Sequence, residues 1–181
     1  NDEQKTVRFK VDGMGIDLGG IAKGWAVDKA AKRVLDMNVT SGMINLGGNM
    51  RCLPVMPPLQ GGRGYYIIGI RNPFDAESYT ATAKVINACT ATSGDYERYV
   101  EIGGKHYTHI MDPRTGRPVE NMLSASIITQ LGVESDALST SIFINGYEFA
   151  KDICRRIPGT SVLVIRRNPS DSSDIIMERA G

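Results

Sequence analysis

From Gly20 to about Met37, apolar side chains recur at Ile21, Trp25, Val27, Ala30, Ala31, Val34 and Leu35, a spacing that lays one apolar stripe along an α-helix. The stretch 42–51 reads as a buried strand broken by Gly47-Gly48, and Pro54, Pro57, Pro58 and Gly61-Gly62 then mark a loop. Runs of β-branched and aromatic residues between turn signals predict strands over 65–71, 84–91, 98–102 and 123–129. Ser135 stands where an N-cap would, ahead of a helix over 136–144; Gly146 interrupts it, and a second helix follows over 147–156. Segments 161–166 and 174–177 close the chain as strands. Strands fill the middle and helices flank them. The predicted class is therefore α+β, with a mostly antiparallel sheet in a single domain over residues 1–181.

Composition narrows the functional classes. At 181 residues and 41% hydrophobic, the chain can build one well-buried core. A net charge of +1 and the lack of a basic stripe with interleaved aromatics speak against a nucleic-acid partner. No run approaches the ~18 apolar residues of a membrane-spanning helix. The chain begins at Asn1 without a signal-type leader, which reads as a mature product or a fragment. Cys52, Cys89 and Cys154 are odd in number and widely spaced, so they are expected to be structural thiols, not a metal pair or a disulfide framework.

Three stretches could carry chemistry. The run Gly13-Met-Gly-Ile-Asp-Leu-Gly-Gly20 leads directly into the first helix, where free first-turn N–H groups favour an anion and Lys23 adds a positive charge. It is neither a phosphate loop of the Walker type nor a dinucleotide fingerprint, and a tight strand-to-helix connection would use the same glycines. Asp136 and Thr140 are four apart on a helix, so their oxygens share a face. A carboxylate with a hydroxyl suits Mg²⁺ better than zinc, although Asp136 could equally complement the helix dipole. His109-Ile-Met-Asp-Pro-Arg-Thr-Gly116 gathers an imidazole, a carboxylate, a guanidinium and a hydroxyl around one Pro-Gly turn, which reads as a ligand-facing turn or a hydrogen-bonded hairpin turn. His106, the other histidine, is expected at the surface. Ser93-Gly94-Asp95-Tyr96 and Asn45-Leu-Gly-Gly-Asn49 offer further close approaches of backbone to a ligand.

Taken in order, five blocks resemble the ApbE family of flavin transferases: DLGGIAKGWAVD (17–28), INLGGN (44–49), ATSGDYER (91–98), HIMDPRTG (109–116) and DALST (136–140). The resemblance implies an ApbE, T-fold-like architecture and a Mg²⁺-dependent FAD:protein FMN transferase. Such an enzyme cleaves FAD, attaches FMN to a threonine of a target protein and releases AMP. It implies Gly20 (through its carbonyl), Asp136 and Thr140 as metal ligands, and Asp17, Lys23, Asn49, Ser93 and His109 along the FAD site. His109 and Asp136 are the candidate proton acceptors for the threonine hydroxyl. Implied partners are FAD and a redox-complex subunit, in an extracytoplasmic, periplasmic or cell-envelope setting with a lipoprotein, membrane-anchored form. A FAD pyrophosphatase giving FMN and AMP, and a non-catalytic flavin-binding or interaction module, are the alternatives.

Only residues 1–16 precede Asp17, where family members carry a long segment that helps enclose the flavin nucleotide. The expectation is the C-terminal, metal-binding part of a longer member, or a short form whose site a second chain completes.

Overall fold

A computed structural model describes residues 1–55, 64–97 and 99–181, with side chains except those of Lys105, His106 and Ser172. The loop expected around Pro57, Pro58, Gly61 and Gly62, and the placement of the His106 imidazole, lie outside the described residues. Helix α1 spans Ala22–Asp36, followed by β1 (Met43–Leu46), β2 (Asn49–Cys52), β3 (Tyr66–Asn72), β4 (Asp75–Val85) and β5 (Cys89–Gly94). Then come β6 (Tyr99–Ile102), β7 (Lys105–Thr108), β8 (Met111–Asp112), β9 (Arg117–Pro118) and β10 (Met122–Thr129). Helix α2 (Gly132–Arg156) and strands β11 (Ser161–Asn168) and β12 (Asp171–Ala180) complete the chain.

Six strands form one antiparallel sheet in the order β1-β2-β5-β10-β11-β12, so the α+β expectation holds. One face packs on α2, where Ile142 and Phe143 meet Ala125, Ile127, Val162 and Val164. The β3–β4 hairpin covers the other face, with Ile68 and Val85 against Cys52 and Ala88, and Ile70 and Ala81 against Leu123, Leu163 and Ile165. Covered on both sides, β10 is almost continuously buried, its Ser124 and Ser126 included.

Four expectations need correction. The 42–51 stretch is a hairpin, not one buried strand. Gly47 (φ 58°) and Gly48 (φ 91°) both take the left-handed conformations of a two-residue turn, and β1 stays largely exposed while Asn49 and Cys52 of β2 are buried. The predicted 84–91 strand is split. Asn87 adopts a φ of 44°, its Oδ1 accepts from Arg51 Nη2 at 2.6 Å, and the chain turns there from the covering hairpin into the main sheet.

Helix α2 starts a turn before Asp136, and Ser135 is not its N-cap. The Ser135 Oγ donates to Gly132 O (2.9 Å) within the first turn. The predicted break at Gly146 is present, at φ 79° and ψ −168°. Finally, the buried stripe of α1 is narrower than its apolar stripe. Gly24, Val27 and Ala31 are buried, whereas Trp25 is 57% exposed with the Lys29 ammonium 5.4 Å from its ring. Small residues face inward because α1 crosses α2 at backbone contact, as described below.

All three cysteines are free, with Cys52 and Cys89 buried and Cys154 half-buried. Cys52 and Arg51 are neighbours on β2 and Arg51 lies opposite Cys89, so the two buried thiols point to opposite faces of the sheet. Burial, the nearby Cys89 and, in opposition, Arg51 push the Cys52 thiol up to about 11. Native protein at pH 8 is expected to alkylate with iodoacetamide at Cys154 and not at Cys52 or Cys89, which label only after denaturation. Mass spectrometry of the digested protein reads this directly, and rapid native labelling of Cys52 would contradict it. Because the folded state resists deprotonation of Cys52, stability falls as pH rises from the ordinary thiol value of 9.0 towards 11.

Candidate active site

The two helices cap each other. The first-turn N–H groups of a helix lack intrahelical partners. In α2, those of Gly132 and Val133 donate to the Asp28 carboxylate of α1 at 2.7 and 2.9 Å. In α1, the N–H of Gly24 donates to Asp136 Oδ2 of α2 at 2.8 Å. The sequence repeats the same device, Gly-x-x-x-Asp, at 24–28 and 132–136. The glycines permit it: a Cβ on Gly24 would overlap the Gly132 carbonyl oxygen and stand 2.7 Å from Asp136 Cβ, and one on Gly132 would stand 2.7 Å from the Gly24 oxygen. This crossing fixes Asp136 beside the start of α1. Gly24, Asp28 and Gly132 escaped the sequence reading, although the repeated spacing was visible.

Asp136 is 4% exposed, and with Oδ2 held by Gly24 its Oδ1 has no partner among the described residues. Thr140 lies one turn further along the same face. The end of the Gly13–Gly20 loop is held locally: Asp17 Oδ1 accepts from the Gly19 N–H at 2.6 Å, and the N–H groups of Ile21 and Ala22 return to Leu18 O. A Cβ on Gly20 would stand 3.9 Å from Thr140 Oγ1. Beneath Thr140, Ser93 Oγ of β5 contacts Thr140 Oγ1 at 3.1 Å and Ser139 Oγ at 3.0 Å.

These groups open onto one cleft of about 830 Å³. Its walls include Asp17, Gly20, Lys23, Ser93, His109, Asp136 and Thr140, residues drawn from four separate sequence blocks, with Gly47 from the fifth. Lys23 runs beside Gly47, whose Cβ position lies 4.0 Å from Lys23 Cδ. Asn49 is placed differently. It does not line the cleft but is 2% exposed in β2, and its Nδ2 is without a hydrogen-bond partner among the described residues. Thr92 and Glu97 line the cleft as well, and the sequence reading did not single them out.

The 109–116 turn contributes less than its composition promises. Asp112 and Arg114 pair with each other through Nη2–Oδ2 and Nε–Oδ1 contacts of 2.8 and 2.9 Å, and Gly116 N–H closes the turn on Asp112 O at 2.8 Å. The side-chain and backbone hydrogen bonds from Arg114 hold the Asp112 carboxyl below its ordinary range. Arg114 also donates to Ile144 O at 3.4 Å, tying the turn to α2. Only His109, Ile110 and Met111 of this segment face the cleft.

Chemically, the cleft wall brings Gly20, the Asp136 carboxylate and the Thr140 hydroxyl, whose oxygens are hard donors, next to Lys23 and the start of α1. That set fits Mg²⁺, which takes a few protein oxygens and completes its octahedron with water and phosphate. Asp136 is the observation that favours a cation there: it lines the cleft with its Oδ2 taken by the Gly24 N–H, and no protein donor among the described residues meets its Oδ1.

The sequence profile of the ApbE family matches residues 1–164. A FAD:protein FMN transferase of Treponema pallidum (strain Nichols) is 35% identical over 166 residues, covering 88% of this chain and 46% of that protein. One from Klebsiella pneumoniae (strain 342) is 34% identical over 165 residues, covering 90% and 49%. Among solved structures, the ApbE protein of Thermotoga maritima MSB8 matches with a TM-score of 0.78 at 31% identity, over 93% of this chain and 52% of that one. The flavin transferase ApbE from Vibrio cholerae, as a single-residue variant, matches with a TM-score of 0.73 at 26% identity, over 95% and 52%. The chain spans about half the length of the relatives it matches. On the profile match over most of its length, with the five blocks in order, the chain belongs to the ApbE family.

Proposed function

We propose that this chain carries the metal-binding part of a Mg²⁺-dependent FAD:protein FMN transferase, which moves FMN from FAD to a threonine hydroxyl of a target protein and releases AMP. The observation that carries the reading is the convergence of Gly20, Asp136 and Thr140 on one cleft beside Lys23 and the start of α1. The names of the Treponema and Klebsiella relatives support the reaction class.

Gly20 O, Asp136 Oδ1 and Thr140 Oγ1 would hold the cation. When bound, Mg²⁺ would offset negative charge on the pyrophosphate oxygens. Lys23 and the positive end of α1 add to that from the protein side and orient the diphosphate. In the transfer, the target threonine oxygen bonds to the phosphorus on the FMN side, and the bond from that phosphorus to the bridging oxygen breaks. AMP leaves with the bridging oxygen. The threonine proton must pass to a base; His109, in the cleft wall, is the group proposed to take it, since Asp136 has one oxygen on the Gly24 N–H and the other proposed for the cation. His109, Ile110 and Met111 form the wall against which the flavin nucleotide is held.

The target is proposed to be a redox-complex subunit at the cell envelope, with the enzyme acting outside the cytoplasm; the family resemblance supports this. Among the described residues no helix is long and apolar enough to cross a membrane.

The test is to incubate the protein with FAD, Mg²⁺ and a threonine-bearing acceptor peptide and to follow masses. A peptide gaining covalent FMN with one AMP released per event is the expected result. Free FMN and AMP with unmodified peptide would replace the transferase by a pyrophosphatase. Failure to bind FAD would leave an interaction module.

A further inference from the structure

The hydroxyls under the cleft form a chain with a direction. Ser139 Oγ donates to the Asp136 carbonyl oxygen at 3.0 Å, and a carbonyl can only accept. A serine hydroxyl has one proton, so in its 3.0 Å contact with Ser93 Oγ it is Ser139 that accepts and Ser93 that donates. The Ser93 proton is then spent. With the Ser139 proton held on the Asp136 carbonyl, the 3.1 Å contact between Ser93 and Thr140 is made by the proton of Thr140. The protons run Thr140 to Ser93 to Ser139 to the α2 backbone.

The consequence falls on Thr140. With its proton turned inwards, Thr140 Oγ1 has only lone pairs left for the cleft, on the side where a Cβ on Gly20 would stand 3.9 Å away. A hydroxyl free to rotate would present its proton there part of the time, and a proton facing a cation is repelled. Ser139 anchors the chain because it is 1% exposed, beyond the reach of water that could reverse the order.

We propose that Ser139, acting through Ser93, is a positioning residue that locks the Thr140 hydroxyl as a pure acceptor and so prepares the cleft for a hard divalent cation. This rests on the metal reading given above. Ser139 touches neither the cleft nor any ligand in it: it lies one residue from Thr140 and on the buried side of α2.

The experiment is Mn²⁺ binding followed by electron paramagnetic resonance, with Mn²⁺ alone as probe and no FAD. Ser139→Ala is expected to weaken Mn²⁺ binding roughly tenfold, as loss of an outer-shell partner does. Its metal-free unfolding midpoint should stay close to wild type. Ser139→Thr, which restores the hydroxyl, is expected to recover affinity to within about twofold of wild type. Ser93→Ala breaks the chain from its other end and serves as the second probe if Ser139→Ala does not fold; the same roughly tenfold loss is expected. Thr140→Val should abolish binding.

Wild-type affinity in Ser139→Ala or Ser93→Ala, with Thr140→Val dead, overturns the hydroxyl chain and leaves the metal site standing. Weak binding in Ser139→Ala that Ser139→Thr does not rescue also overturns it, because packing and not the hydroxyl is then responsible. A Thr140→Val protein that binds Mn²⁺ like wild type overturns the metal reading itself.

Discussion

Replacing Asp136 by Asn is expected to lower Mg²⁺-dependent turnover by about a thousandfold while leaving the metal-free protein at least as stable as wild type. The two halves of that expectation come from the two carboxylate oxygens. Oδ2 accepts the Gly24 N–H at 2.8 Å, and an Asn amide oxygen can accept it equally well, so the helix crossing survives. Oδ1 faces the cleft without a partner, and Asn would put an NH₂ donor there, which cannot coordinate a cation. Removing a buried negative charge also relieves its desolvation, which is why the metal-free midpoint should hold or rise. Saturating Mg²⁺ at about 100 times its Kd should stabilise wild type by about 2.7 kcal/mol, and Asp136→Asn not at all. Thermal unfolding with and without Mg²⁺, beside the peptide-mass assay, separates the terms. An Asn variant with wild-type Mg²⁺-dependent turnover would remove Asp136 from the metal site.

Gly24→Ala is the second large effect, and it falls on the fold. A single methyl there would run into the Gly132 carbonyl and come within 2.7 Å of Asp136 Cβ, and the obstacles are helix backbone, which cannot swing aside. Helices α1 and α2 would have to separate. That would stretch the Gly24–Asp136 bond and both Asp28 bonds to the start of α2 together, since all three cross the same contact. The expected loss is about 3 kcal/mol, at the upper end for overpacking because caps are lost with it. For a chain of this size that corresponds to roughly 6–12 °C in Tm. Urea denaturation should show a lower midpoint and, from the displaced Asp136, weaker Mn²⁺ uptake. An alanine variant of wild-type stability would show that the helices can part without cost. At an ordinary helix position the same change from Gly would stabilise, by about 1 kcal/mol, so the sign alone is diagnostic.

Several features of the site are legible because their cause lies within a few residues. Asp136 and Thr140 share a helix face by spacing alone, and the break at Gly146 follows from one residue's backbone freedom. The Gly-rich entry to α1 is likewise local. Other features have causes far along the chain. No local signal says that α2 begins at Gly132, because the carboxylate that satisfies its first N–H groups is Asp28, 104 and 105 residues earlier in sequence. Ser135 looks like a cap and is not one for the same reason. Trp25 belongs to the apolar stripe by periodicity, yet the α1–α2 contact selects Gly24, Val27 and Ala31 and turns the indole outwards. The Asp-Pro-Arg turn is an instructive excess: its charges are conspicuous in the sequence, but Asp112 and Arg114 neutralise each other at 2.8 Å and leave His109 to face the cleft.

By itself, then, the sequence determined the α+β class, the positions of most elements, the oxygen-bearing pair on α2 and the ordered blocks that carry the family resemblance. These rest on periodicity, turn chemistry and residue type, which act over one or two turns of chain. Only the tertiary structure decided that Gly20 meets Thr140, that Asp136 spends one oxygen on Gly24 and keeps the other for the cleft, that Asn49 is buried away from its wall, and that Ser93 joins Ser139 to Thr140. Each of those depends on a hydrogen bond or a backbone approach between segments that the sheet and the helix crossing bring together, such as the 112 residues separating Gly24 from Asp136. The repeated Gly-x-x-x-Asp spacing is present in the chain before it folds, but nothing local says that its two copies meet.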